Sequence, residues 1–358
     1  MRMMEKAMYE KLERAVAEVY APAEYPALRW QTEMWSAGRP LEGVELLDAT
    51  PVYRNTMAKY LALLAAGAHL TIGLSRVMAH DRRIVRFLRE AGLEVCMAEE
   101  SPRRSFDVIL DCAASFAAWE ARSGYVELTR SGVERYAQSG RPVYMADSGR
   151  IKQIETLLGT GESFSRAMAA LGYAEWNGRK LVVFGSGKVG SGILLYAHRR
   201  GAIVTVVTDP RTLSERFVPM VDRVVDFRDR TAVEEVLRSA DAVVTATGVA
   251  GAVQHCCAPS SVAERALLAN MGVEDEFGPD FPASRVLNGK GTLNFILEEP
   301  THLKYIDATM ALHNAGALRL LSSSDVGGVI LPSAEEESAL LEVSVRNGTA
   351  GEEIAMIL

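Results

Sequence analysis

The chain has 358 residues, of which 48% are hydrophobic and 24% are charged, which is enough for two globular domains with sizeable buried cores. Its formal net charge of −7 argues against nucleic acid as the main partner. The apolar runs are too short for a membrane span or for the centre of a signal peptide, so we expect a cytoplasmic protein that does not contact membranes.

The first part of the chain, residues 1–157, is predicted to form one domain. It opens with an amphipathic helix and an irregular arm that contains Pro22, Pro26 and Trp30. Strands then alternate with helices, with strands predicted at 44–47, 69–73, 93–98, 106–111 and 142–145 and helices at 56–66, 81–91 and 134–138. Such alternation is typical of a parallel sheet that is covered on both faces.

A long helix at 154–171 is predicted to lead into a second domain, residues 158–304. Its strands are predicted at 180–184, 203–207, 223–226, 242–246, 267–270 and 285–287. Residues 305–358 are predicted to return to the first domain as a helix at 305–320, a polar loop at 322–328 and a helical pair at 333–358. The predicted fold class is therefore α/β, with two doubly wound parallel-sheet domains: a substrate domain and a Rossmann dinucleotide-binding domain.

A glycine-rich turn, Gly185-Ser186-Gly187-Lys188-Val189-Gly190, lies between a predicted strand and a predicted helix. A strand, a glycine turn, a helix and a second strand within about 30 residues are the context of a dinucleotide-binding fingerprint. Gly185 permits the tight turn, Gly187 lets a pyrophosphate approach the backbone, and Gly190 lets helix and strand pack closely. The helix N-terminus offers free N–H groups to the anion. The six residues are therefore predicted to bind a dinucleotide or an adenosyl ligand, with a plain strand-to-helix turn as the alternative.

The choice of cofactor is expected to depend on Thr208 and Asp209, at the end of the second Rossmann strand. A carboxylate there accepts hydrogen bonds from the ribose hydroxyls and repels a 2′-phosphate. Arg211 follows two residues later and could hold a 2′-phosphate instead. The sequence favours NAD and leaves NADP open, and S-adenosylmethionine is a further alternative.

Four stretches in this order resemble the S-adenosylhomocysteine hydrolase superfamily: MADSGRIKQIETLLGTGES at 145–163, VVFGSGKVGSG with GAIVTVVTDP at 182–210, DAVVTATGVAGAV at 241–253 and LLANMGVEDEFG at 267–278. The resemblance implies a substrate domain joined to a Rossmann domain, tightly held NAD and a homo-oligomer, either a dimer or a tetramer. It also implies oxidation of a ribose hydroxyl, elimination of a thiol, addition of water and reduction of the ketone. By resemblance, further cofactor contacts would come from Thr245, Ala246, Thr247, Gly248 and Asn270.

Several positions depart from the pattern of that family. Pro51 and Val273 stand where the family has histidines, and Glu298-Glu299-Pro300 stands where it has a Gly-His-Pro sequence. The family's lysine before the linking helix is displaced by one position, to Lys152. We therefore expect that the substrate site differs from that of the family, whereas the cofactor site is retained.

The candidate catalytic groups are polar residues near the predicted domain junction. Lys152 and Glu155 share a helix face, and a lysine ammonium in a crevice can exchange a proton with a substrate hydroxyl. Asp147 follows a strand and Asp111 ends another, at the edge where α/β proteins bind ligands, so both could bind a substrate hydroxyl. Glu299 and His313 are further acid–base candidates. Each of these residues also has a purely structural interpretation. Lys152 and Glu155 could form a surface ion pair, and Asp147 could cap a turn. Glu299 could be an exposed loop residue, and His313 could be a buried core histidine.

The hypothesis that follows is an NAD(P)-dependent enzyme that oxidises or reduces a secondary alcohol of a small, polar, nucleoside-like substrate. A hydrolase of nucleoside thioethers with bound NAD is one alternative. An S-adenosylmethionine-dependent methyltransferase or a non-catalytic ligand sensor on the same fold is another. No metal is expected, because the four cysteines form no CxxC pair and His255 beside Cys256-Cys257 does not have metal-site spacing.

Overall fold

A computed structural model of the chain describes residues 3–76, 78–100, 105–322 and 327–358. The chain divides into two units, a first unit of Met1–Ile154 with His302–Leu358 and a second unit of Glu155–Thr301. In the described ranges, no helix has both the length and the apolar character needed to cross a bilayer.

Within these ranges the strands are β1 (Glu45–Asp48), β2 (His69–Leu74), β3 (Glu94–Met97), β4 (Phe106–Asp111), β5 (Ala121–Glu127), β6 (Pro142–Met145), β7 (Lys180–Phe184), β8 (Ile203–Thr208), β9 (Arg223–Asp226), β10 (Ala242–Thr245), β11 (Leu267–Asn270) and β12 (Gly328–Ile330). The α-helices are α1 (Met3–Ala17), α2 (Pro26–Gly38), α3 (Thr56–Ala65), α4 (Arg82–Ala91), α5 (Arg130–Tyr136), α6 (Ile151–Gln153), α7 (Thr160–Ala170), α8 (Lys188–Arg199), α9 (Arg230–Arg238), α10 (Ala252–Cys256), α11 (Leu303–Ser322), α12 (Ala334–Asn347) and α13 (Gly351–Ile357). A π-helical turn, Ile154–Gly159, joins α6 to α7.

The first unit contains a seven-stranded parallel sheet in the order β12-β6-β5-β4-β1-β2-β3. From β1 the chain adds β2 and β3 on one side. It then returns to the other side of β1, where it adds β4, β5, β6 and β12, so the strand order reverses between β1 and β4. Ligands of doubly wound proteins bind outside the carboxyl ends of the strands at such a switch point. Asp48 ends β1 and Asp111 ends β4, so both lie beside it.

The second unit contains a five-stranded parallel sheet in the order β11-β10-β7-β8-β9. Its strand order reverses between β7 and β10, and the glycine turn directly follows β7. Its core is formed by buried side chains such as Phe184, Val243, Leu268 and Phe277. The predicted α/β class with two doubly wound parallel sheets is thereby confirmed.

Two predicted local structures are wrong. The arm after the first helix is mostly α2, and its N-terminus is capped from far away: the Asp307 carboxylate accepts hydrogen bonds from the N–H groups of Ala27 (2.8 Å) and Leu28 (2.9 Å). No strand forms at 285–287, where two 3-10 turns, Ala283–Arg285 and Leu287–Lys290, meet instead. Val286 is extended only between them, because the left-handed backbone of Asn288 and Gly289 turns the chain immediately afterwards.

Two strands were not predicted. β5 carries a glycine with φ +124 at position 124 and a register shift against β4, and both features interrupt the alternation that marks a strand. β12 has only three residues and pairs with β6. Of the predicted polar loop at 322–328, residues 323–326 lie outside the described part of the chain.

Candidate functional site

The glycine turn after β7 is shaped by two steric requirements. Gly185 has φ +98, and a Cβ at this position would collide with the Ala246 carbonyl after β10. Gly190 lies in the first turn of α8, where a Cβ would collide with the carbonyl of Gly185. A side chain is thus excluded at both positions, and the turn brings β7, β10 and the start of α8 into close contact.

The middle glycine has a different environment, which fits a bound ligand. Gly187 precedes α8 with ordinary backbone angles (φ −68, ψ −172), and a Cβ built there would meet no atom within 4 Å. The space above it belongs to a cavity of about 390 Å³. Its lining includes Gly185, Ser186, Gly187, Thr208, Asp209, Thr212, Phe227, Ala246, Thr247 and Val249. A pyrophosphate can therefore approach the backbone of this turn without steric conflict.

Helix α8 supplies donors for an anion at this cavity. Gly187 is its N-cap residue, Lys188 and Val189 occupy its first turn, and the Lys188 side chain is exposed. The carbonyl of Gly187 accepts the N–H of Ser191, so the earlier N–H groups lie ahead of the first intrahelical bond. These groups and the helix dipole favour a phosphate at the glycine turn.

Polar groups gather where β8 ends. The hydroxyl of Ser186 lies 2.7 Å from that of Thr208 and 3.0 Å from that of Thr212. The next residue, Asp209, forms ion pairs with Arg211 (2.6 Å) and with Arg228 (2.8 Å). Hydrogen bonds from these two arginines, Arg211 first, lower the pKa of Asp209 well below its usual range, so the carboxylate is charged.

The loops after β10 and β11 are held by a buried carboxylate that the sequence did not reveal. Glu276 is completely buried and accepts hydrogen bonds from the N–H groups of Thr247 (2.8 Å) and Gly248 (2.7 Å) and from the Thr247 hydroxyl (2.8 Å). Since Thr247 lines the cavity, Glu276 positions one of its walls. In the sequence, only the position of Glu276 shortly after Asn270-Met271-Gly272 could have pointed to this residue.

The side chain of Asn270, which was predicted to contact the cofactor, forms hydrogen bonds with protein groups. Its side-chain amide donates to the carbonyls of Glu274 (2.7 Å) and Lys290 (2.8 Å), and its Oδ1 accepts the hydroxyl of Thr245 (2.9 Å) and the N–H of Gly272 (3.1 Å). Asn270 and Thr245 are both completely buried. The structure gives the pair a role in fixing the loop after β11, while Ala246 and Thr247 reach the cavity itself.

In the first unit, buried charged residues end three neighbouring strands. Asp48 ends β1 and forms a buried ion pair with Lys59 of α3, and Asp111 and Glu127 end β4 and β5. Burial lowers the pKa of Lys59, against the opposing effect of Asp48. Burial also raises the pKa values of Asp111 and Glu127. Apart from Asp111, none of these residues was predicted to lie at a site, since sequence spacing does not show which strands become neighbours.

Three of the predicted catalytic residues belong to the first unit, and two of them, Lys152 and Asp147, lie together at this edge. The Lys152 ammonium is 3.6 Å from Asp147 and donates to the Leu128 carbonyl at 3.1 Å, and the lysine is only 6% exposed. His313 of α11 is completely buried and donates from Nε2 to the Val126 carbonyl at 3.0 Å, while its Nδ1 has no partner among the described residues. Burial, followed by the charge of Lys59, lowers the pKa of His313 well below 6.5, so the ring is neutral.

The other two predicted catalytic residues belong to the second unit. Glu155 lies in the π-helical turn that follows Lys152 in the chain. Glu299 is half-buried, and its backbone carbonyl accepts a hydrogen bond from Arg166 at 3.0 Å.

Comparison with known families shows which kind of domain the second unit contains. Residues 173–277 match a family model described as "Putative NAD(P)-binding", and this range contains the glycine turn, Asp209, Asn270 and Glu276. The second unit thus contains an NAD(P)-binding domain, with NAD or NADP as the cofactor. A search of curated proteins gave no significant match.

Solved structures give a likeness in fold. A dipicolinate synthase chain from Bacillus halodurans is 13% identical, with a TM-score of 0.50 over 79% of this chain and 99% of that chain. A transhydrogenase from Sinorhizobium meliloti is also 13% identical, with a TM-score of 0.43 over 76% of this chain and 95% of that chain. The family model shows NAD(P) binding, the dipicolinate synthase structure shows a likeness in fold alone, and neither singles out the S-adenosylhomocysteine hydrolase superfamily.

Proposed function

We propose that this protein is an NAD(P)-dependent oxidoreductase that oxidises or reduces a secondary alcohol of a small polar substrate. NAD(P) would bind along the glycine turn, with its pyrophosphate over Gly187 and at the start of α8. The cofactor supplies hydride acceptance or donation. The protein must then bind the substrate and move the hydroxyl proton.

The observation that carries the proposal is the placement of Lys152. It lies at the carboxyl edge of the seven-stranded sheet, almost fully buried, beside the Asp147 carboxylate and the Leu128 carbonyl. Burying an ammonium is costly unless it is paired and hydrogen-bonded, and the Asp147 carboxylate at 3.6 Å and the Leu128 carbonyl at 3.1 Å hold this one in position. A substrate hydroxyl that accepts a hydrogen bond from the Lys152 ammonium would be well placed to exchange a proton with it.

The surrounding groups fit a polar substrate. Asp48 and Asp111 flank the point where the strand order reverses, the default location of a ligand in this fold. Buried polar atoms without a hydrogen-bond partner among the described residues include Thr50 Oγ1, His313 Nδ1 and Asn314 Oδ1. Buried polar atoms are nearly always satisfied, so these atoms support a polar ligand or ordered water in the first unit.

The test is a screen for turnover followed by a matched pair of variants. The pure protein is mixed with NAD⁺ or NADP⁺ and with polyols, nucleosides or hydroxy acids, and reduced nicotinamide is followed by its absorbance. With a substrate found, Lys152→Met should lower kcat by about 100-fold or more, because a positioned acid–base group contributes about that much. Lys290→Met is the control, since Lys290 also pairs with an aspartate (2.8 Å) and a carbonyl (2.7 Å).

Unchanged turnover in Lys152→Met would remove this lysine from the mechanism. The oxidoreductase proposal as a whole would be contradicted if no alcohol led to reduction of NAD⁺ or NADP⁺ and no matching ketone led to oxidation of the reduced cofactor.

A further inference from the structure

The carboxylate of Asp209 has no free position for a ribose. Its Oδ1 accepts the backbone N–H (3.1 Å) and the Nε–H (3.0 Å) of Arg211, and its Oδ2 accepts Nη2 of Arg211 (2.6 Å) and Nη2 of Arg228 (2.8 Å). A carboxylate offers about four lone-pair sites. All of them are used, so the two ribose hydroxyls of NAD could bind Asp209 only by displacing an arginine.

The two arginines themselves are open to a ligand. The side chain of Arg211 is 82% exposed and that of Arg228 is 51% exposed, whereas that of Asp209 is only 15% exposed. The Arg228 guanidinium lies 4.4 Å from the ring centre of Phe227, a residue that lines the cavity, and also pairs with Asp226 (3.2 Å). The carboxylates therefore fix both guanidinium groups at the rim of the cofactor cavity before a ligand arrives, which lowers the entropy cost of binding.

Hydroxyl donors stand next to these cations. Ser186, Thr208 and Thr212 all line the cavity, and their oxygen atoms lie 2.7 to 3.1 Å from one another. Guanidinium groups and hydroxyls are common ligands of phosphate, and arginine matches its geometry with paired hydrogen bonds. The set of groups at the end of β8 is thus better suited to a phosphate than to a neutral diol.

We infer that the cofactor is NADP, and that Arg211 and Arg228 bind the phosphate on its adenosine ribose. The inference rests on the proposed cofactor site and adds the choice between the two dinucleotides. Asp209 serves here as a positioning residue for the arginines and not as the acceptor of the ribose hydroxyls.

The test compares binding of NADPH and NADH to the pure protein by calorimetry. NADPH should bind at least about 10-fold more tightly, since hydrogen bonds between a guanidinium and a charged phosphate are stronger than those between neutral groups. Replacing Arg211 and Arg228 together by glutamine should remove this preference and leave NADH affinity within about 3-fold of the wild type. Arg223→Gln is the control, because Arg223 of β9 is also exposed but pairs with Glu235 (3.2 Å).

A second variant separates the two roles of Asp209. In Asp209→Asn, NADH affinity should stay within about 3-fold, whereas a carboxylate that accepted the ribose diol would make it fall by about 10-fold or more. NADH binding as tight as NADPH binding in the wild type would overturn the inference and leave the oxidoreductase proposal intact. Failure to bind either dinucleotide would overturn both.

Discussion

Asp111 and Glu127 are paired positions on the neighbouring strands β4 and β5, and both carboxyl groups are completely buried. Asp111 accepts the N–H groups of Cys112 and Phe116, and Glu127 accepts those of Ala113 and Ala114. The two alanines have φ values of 57 and 50, in the left-handed region, which costs about 1–2 kcal/mol per residue. The paired carboxyls thus hold a loop conformation that the loop sequence itself does not favour.

The Glu127 carboxyl should make folding stability depend on pH. Burial, with the Asp111 charge as the second cause, raises the pKa of Glu127 to about 7. Between the unfolded value of about 4.5 and about 7, the folded state holds a proton that the unfolded state has lost. The contribution of Glu127 to stability is therefore full below the lower value and is lost as pH rises through about 7.

Urea unfolding of the wild type and of Glu127→Gln measures this contribution. The stability difference between the two proteins should be larger at pH 5 than at pH 8. The exposed Glu120→Gln is the control and should show no such trend. A difference for Glu127→Gln that does not change between these pH values would show that the carboxyl is charged throughout.

Glu276 should control cofactor affinity without contacting the cofactor. In Glu276→Gln, an amide NH₂ must face one of the N–H donors of Thr247 or Gly248, which leaves a buried donor unsatisfied at a cost of about 1–3 kcal/mol. The loop wall of the cavity should loosen, and dinucleotide affinity measured by calorimetry should fall by about 10-fold. Glu274→Gln, with an exposed side chain, serves as the comparison. Equal affinities in a folded Glu276→Gln would mean that the loop does not shape the site.

The sequence predicted those features whose signals are local. The glycine turn, β7, α8 and β8 follow one another within about 30 residues, so their combination could be recognised directly. Contacts between distant residues could not be predicted. The cap of α2 comes from Asp307, 280 residues away, and the loop after β10 is held by Glu276, which lies 29 residues beyond Thr247. The contact of Lys152 with Asp147 likewise depends on how the chain turns after β6, which helix spacing does not show.

Hydrolysis of S-adenosylhomocysteine should be slow or absent. Pro51 and Val273 stand at the positions where the resemblance expects histidines, and neither can move a proton; Val273 is moreover 93% exposed. Each missing acid–base group costs about 100-fold or more in rate. Release of adenosine and homocysteine by the pure protein at about 1 per second or faster would contradict this prediction and favour the hydrolase alternative.

Binding of a dinucleotide over Gly187 can be tested by calorimetric titration of Gly187→Val with NADH and NADPH. The backbone angles at Gly187 suit any residue, and a Cβ there meets no atom within 4 Å, so the variant should fold with a melting temperature within a few degrees of the wild type. Its branched side chain would occupy the space of the pyrophosphate, and we predict that binding of both dinucleotides is lost. Wild-type affinity in the folded variant would show that the dinucleotide does not bind over Gly187.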